Sequence, residues 1–183
     1  MSTPFDTWWA FCQRPENDGQ PLHTTPDDPG GATAYGITLN TYKAWCIQHG
    51  THTLMSAGDL GRMTLDEASQ IAHTWYWNSC RCDSLFAIVS IVVCDAAWVS
   101  GPGTAIRWLQ QAIGLPPGQC DGIFGPWTLA AYYANKDAAG ITAEKFTDIR
   151  NNADSQMSGS AKFNRGWTRR TNDCLQVALT YKP

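Results

Sequence analysis

The run LFAIVSIVVCDAAWV, Leu85 to Val99, is the longest apolar stretch of the chain, and Asp95 is its one charged residue. It spans 15 residues, short of the ~20 that a helix needs to cross a bilayer. It therefore reads as a buried central helix, and no stable membrane insertion is expected. A carboxylate inside such a helix is costly without partners, so Asp95 is expected to be hydrogen-bonded within the core; a direct catalytic role is the lesser alternative. With 183 residues, 43% of them hydrophobic and only 16% charged, the chain can bury a core as one domain or as one domain of two lobes.

Helical signals surround that run. Thr3, Pro4 and Asp6 form a cap, a first-turn proline and a capping-box acid, and Phe5, Trp8, Trp9 and Cys12 follow at helical spacing. Pro15 should end this helix near Arg14. Residues 17–32 hold three prolines and three glycines, which predicts loop and turn, with at most a short β-hairpin near residues 20–38. A second helix is expected over 36–50, capped near Thr38 or Asn40. A third is expected over 63–80, with Thr64 and Glu67 as a capping box. Further helices are predicted over Thr104–Ile113, from Pro126 onward and from about Thr142 to the end. The chain reads as mostly α.

Net charge is −3, but residues 1–144 hold 6 basic and 13 acidic residues while 145–183 hold 7 and 3. The basic end suits an anionic polymer such as cell wall; a solvated helix face explains it equally. No nucleic-acid motif accompanies it. The N-terminus has neither a basic region nor an apolar one of the secretory type. The seven cysteines sit in helix-like segments and read as small buried residues. Cys80/Cys82 and His49/His52 do not match common structural-zinc spacings, and no cofactor is expected. The nine tryptophans read mainly as core, with a sugar-binding groove as the alternative for some.

The chemistry centres on residues 15–38. Glu16 follows the Trp-rich first helix and is the only Glu before Glu67. A carboxyl beside apolar rings resists ionisation, and a glycosidase general acid needs that raised pKa in order to protonate a leaving sugar oxygen. Asp28 and Thr33 flank Gly30 and Gly31, and a carboxylate with a neighbouring hydroxyl could activate water on the opposite sugar face. Asp27 and Asp18 are rivals for that role, and an ordinary turn is the alternative for Asp28 to Gly31.

The order Glu, Asp, Thr and then YGIT is similar to the catalytic arrangement of phage-type lysozymes. More closely, E…DPGGATAYGIT resembles the glycoside hydrolase family 108 muramidases. WYW (75–77), CDSL (82–85) and VCDAAWVSG (93–101) fall where that family has its further elements. LQQAIGLPPGQCDGIFGPWTLAA (109–131) resembles its C-terminal peptidoglycan-binding region, and FNRGWTRR (163–170) its closing motif. The family's Glu-Gly-Gly is here Glu16-Asn17-Asp18-Gly19, and the spacing from Glu to Asp is longer.

The resemblance implies a lysozyme-like, two-lobed α-helical fold, with a catalytic lobe over 1–95 and a helical, wall-binding lobe over 96–183. It implies an N-acetylmuramidase of endolysin type, with Glu16 as essential acid and Asp28 and Thr33 positioning water or stabilising the transition state. Tyr35, Trp77 and Trp127 are the candidate sugar-binding residues, although core packing explains Tyr35 and Trp77 equally well. Asp121, Gly122 and Gly125 are expected to shape the entry to the helix at Pro126. The expected partner is the peptidoglycan glycan strand, with the protein monomeric, held in a bacterial host's cytoplasm and released to the wall. A lytic transglycosylase and a non-catalytic wall-binding or secretion-assisting protein are the alternatives.

Overall fold

A computed structural model of the chain describes residues 2–14, 32–51, 56–135, 139–157 and 160–182. Thr3 and Asp6 close the expected reciprocal box: the Asp6 N–H donates to Thr3 Oγ1 at 3.1 Å, and the Thr3 N–H to Asp6 Oδ2 at 2.9 Å. That box opens α1 (Pro4–Cys12). A two-stranded antiparallel hairpin, β1 (Thr33–Ala34) with β2 (Ile37–Thr38), pairs Thr33 with Thr38 and Ala34 with Ile37. Thr38 then caps α2 (Leu39–His49), accepting from the Thr41 N–H at 3.2 Å, and Gly50 closes that helix with φ 65. A short α3 (Ala57–Leu60) follows. Thr64 and Glu67 box the start of α4 (Leu65–Ala72).

The helix expected over 63–80 is not one α-helix. After α4 the chain widens into a π-helical turn, His73–Trp77, and then a 3-10 turn, Cys82–Ser84. A π turn changes the angular step between side chains, and such turns recur at functional positions. Here it lets neighbouring aromatic residues reach different rings: His73 and Trp77 both meet Phe5 edge-on, while Tyr76 meets Trp98.

The apolar run forms α5 (Ala87–Ser100), buried continuously from Val89 to Ala97. Next come α6 (Pro102–Ala112), α7 (Pro126–Ala134), α8 (Ala139–Ser155) and α9 (Ser160–Thr180). The tail expected to be helical from about Thr142 is so, as the two helices α8 and α9. α5 packs on α6, α8 and α9, and α6 on α8. The class is mostly α and lysozyme-like, as expected, and no described helix is long and apolar enough to cross a membrane.

Two compact units divide the chain, one of residues 1–8 with 73–183 and the other of 9–72. A boundary at 95/96 would fall inside α5, which is one unbroken helix of the first unit. In that unit Asp95 sits fully buried among cations. Arg150 Nη1 donates to Oδ2 at 2.8 Å, Arg170 Nη2 to Oδ1 at 2.7 Å, and the Trp8 indole N–H to Oδ1 at 3.4 Å. Burial alone would raise the carboxyl's pKa, but the guanidiniums of Arg170 and Arg150 outweigh it and hold the group below its ordinary value. Asp95 is therefore a structural anchor with every oxygen occupied, as its place in an apolar helix required.

Candidate functional site

The hairpin carries two of the candidate residues. Tyr35 and Gly36 are its two-residue turn, both with positive φ, 52 and 78. Type I′ turns need that sign at both central positions, which Asn and Gly supply cheaply. A tyrosine there is strained, and the half-buried phenol is held at the tip of a hairpin whose far end caps α2. Thr33 is half-buried in β1, and its hydroxyl has no hydrogen-bond partner among the described residues. The backbone of the hairpin does not consume it. Glu16 and Asp28, with the rivals Asp18 and Asp27, lie outside the described residues. What is described beside them is the end of α1, where the Arg14 guanidinium sits 5.1 Å over the Phe11 ring.

Trp77 belongs to the core. It is 2% exposed, its indole N–H donates to Asp83 Oδ1 at 2.8 Å, and its ring meets Phe5 edge-on at 5.5 Å. Of its two readings, packing is the one its surroundings favour, because a buried ring has no free face for a sugar.

Trp127 is the opposite case, 88% exposed at the start of α7. It lines a groove of about 460 Å³ together with Leu115, Ile123, Pro126, Gln110 and Asp121. The polar residues of the groove are bonded to one another. Gln110 is buried on α6, and its amide nitrogen donates to Asp121 Oδ1 at 2.8 Å and Thr128 Oγ1 at 3.0 Å, while its oxygen accepts from the Gly122 N–H at 2.9 Å. The Ile123 N–H also donates to Asp121 Oδ1, at 2.8 Å. Those donors, the Gln110 amide first, hold the exposed Asp121 carboxyl below its ordinary pKa. Gly122 carries φ +79 and lies so close to α6 that a Cβ there would stand 2.6 Å from the Gly103 carbonyl oxygen.

Asp121, Gly122 and Gly125 thus do shape the entry to α7. Sequence reasoning missed Gln110 as the organiser of the turn. Its signal was one amide on an otherwise apolar helical face, eleven residues before Asp121. The first unit contains Trp77 and Trp127, and the second contains Thr33 and Tyr35.

The family model described as Glycosyl hydrolase 108 matches residues 16–101, a span that includes Glu16, Asp28, Thr33, Tyr35 and Trp77. No curated protein matches the chain. Among solved structures, Brucella abortus SagA is similar over nearly the whole length, with a TM-score of 0.80 and 32% identity, covering 94% of this chain and 94% of that one. On the family match and that whole-length similarity, the chain belongs to the glycosyl hydrolase 108 family.

Proposed function

We propose that this glycoside hydrolase is an N-acetylmuramidase that cleaves the β-1,4 bond between N-acetylmuramic acid and N-acetylglucosamine in peptidoglycan. The observation that carries this reading is the family match, which begins at Glu16 and runs through Asp28 and Thr33. Glu16 acts as general acid and protonates the leaving sugar oxygen as oxocarbenium character develops at the anomeric carbon. Asp28 is the leading candidate to activate or position water, with Asp27 and Asp18 as rivals, and the Thr33 hydroxyl holds that water or a sugar oxygen. Tyr35, held under strain at the hairpin tip, supplies an aromatic face for a sugar ring. Trp127 and its groove hold glycan, the role suggested by the resemblance of residues 109–131 to a wall-binding region. The enzyme acts on the wall after release from a host cytoplasm.

Glu16→Gln keeps size and polarity and removes the proton donor, so lysis of purified wall should fall by at least about 100-fold, the low end of the usual acid contribution. Sedimentation of the variant with the same wall should be unchanged, and adding Trp127→Ala should weaken it. Lysis retained in Glu16→Gln would contradict the role given to Glu16. Failure of the wild type to solubilise wall, with sedimentation intact, would leave a non-catalytic wall binder.

A further inference from the structure

A second concavity opens where α5 meets α6, with a volume of about 330 Å³ and walls of Val99, Ser100, Thr104, Asp154, Met157 and Trp167. That lies at the small end of ligand sites, which run from roughly 300 to 1,000 Å³. Its residues come from α5, α6, α9 and the C-terminal end of α8 with the residues just beyond it, and all belong to the first unit.

Asp154 is 4% exposed, yet its carboxyl makes no hydrogen bond among the described residues. The nearest cation, Arg150 Nε, is 3.7 Å from Oδ2, beyond hydrogen-bond range, and that Nε is itself buried without a partner among the described residues. Arg150 instead commits Nη1 to Asp95. The buried Arg150 Nε is thus an exception that calls for an explanation, while the Asp154 carboxyl is reached from the pocket it lines. Burial raises the pKa of Asp154 against the opposing pull of Arg150, and its carboxyl oxygens are acceptors open to a ligand's N–H. The Ser100 and Thr104 hydroxyls line the same space and have no partner among the described residues either. The same pocket is lined by the exposed aliphatic side chains of Val99 and Met157 and by the indole of Trp167.

The pocket thus offers paired donors and acceptors beside an apolar wall. A phosphate would meet an acid, and a plain hydroxylated sugar would leave the apolar wall uncovered. An acetamido group has an N–H, a carbonyl and a methyl within one planar unit. We infer that this pocket binds the N-acetyl group of an amino sugar, with Asp154, Ser100 and Thr104 engaging the amide and Met157 and Val99 covering the methyl. The Trp167 ring lies against the pyranose. The inference rests on the peptidoglycan reading only for the source of that group.

The test is titration of the full-length protein with N,N′-diacetylchitobiose, followed by the Trp167 indole N–H resonance, which Trp167→Phe assigns. Chitobiose without acetyl groups and N-acetylalanine methylamide serve as comparison probes. The acetylated sugar should shift the resonance saturably, and chitobiose should bind at least tenfold more weakly. Thr104→Val should weaken binding about tenfold. Asp154→Asn, which keeps an acceptor oxygen in place, should retain it, and Asp154→Leu should abolish it. No saturable shift, equal shifts with both sugars, an undiminished shift in Thr104→Val, or a stronger shift with the peptide amide would overturn the inference. Wall hydrolysis without the shift overturns this pocket alone; the shift without hydrolysis overturns only the hydrolase reading.

Discussion

Tyr35 carries left-handed backbone, φ 52, in a turn where glycine or asparagine would sit without strain. Strain of order 1–3 kcal/mol at a non-glycine residue persists where the surroundings impose it, and it clusters at sites that work on ligands. Tyr35→Asn separates folding from function: thermal stability should stay within about 1 kcal/mol of the wild type, because relief of strain offsets lost packing. Wall hydrolysis should fall about tenfold, equivalent to ~1.4 kcal/mol of transition-state binding. Unchanged hydrolysis would reduce Tyr35 to a turn residue. The sequence singled out Tyr35 and Trp77 in the same terms, as sugar-binding candidates that core packing explains equally well. It could not separate them, because the burial of Trp77 depends on Phe5 and Asp83, which meet it only in the fold.

At the level of elements, what was legible was local. The boxes Thr3/Asp6 and Thr64/Glu67 join residues three positions apart, and both form as read. Pro126 starts α7 for an equally local reason. The π turn at His73–Trp77 was illegible because its apolar periodicity does not differ from that of a continuing α-helix. The hairpin at 33–38 was only bracketed, since two-residue strands leave no alternation to detect. The α6–α7 turn shows how position decides the cost of a single methyl. Gly122 and Gly114 share positive φ, +79 and +84, but a Cβ at Gly114 meets nothing within 4 Å, whereas at Gly122 it meets the Gly103 oxygen at 2.6 Å. Gly114→Ala should cost about 1–2 kcal/mol from backbone strain alone. Gly122→Ala should cost at least about 2 kcal/mol more, since backbone must move as well as twist. Denaturant midpoints of the two variants check this, and equal losses would refute the close approach.

For the molecule as a whole, the apolar run fixed a buried helix and Asp95 demanded partners, but Arg150 and Arg170 stand 55 and 75 residues away, a pairing no local pattern encodes. The candidate catalytic acids were legible as a motif, and the Asp154 pocket was not, because residues 99–104 and 154–167 meet only in the fold. Asp95→Leu should cost about 3–5 kcal/mol, since it strands buried guanidinium charge. The same cluster sets acid sensitivity. The folded carboxyl of Asp95 lies below its ordinary 3.8, so its contribution is complete above that value and is lost as pH falls through the lower, folded one. Asp154, raised by burial, acts in the opposite sense: its contribution is lost as pH rises from 3.8 through its folded value. Urea midpoints measured downward from pH 5 should therefore drop steeply below about pH 4 in the wild type, and a flat acid limb would contradict the pairing.

The central claim concerns which bond is broken, and mass analysis of the fragments released from purified peptidoglycan tests it most directly. An N-acetylmuramidase leaves N-acetylmuramic acid at the reducing end with one water added across the cleaved bond, and Glu16→Gln should release at least about 100-fold less of it. Anhydro-muramic ends would show transglycosylation instead, and reducing N-acetylglucosamine ends or intact glycan would contradict the assignment.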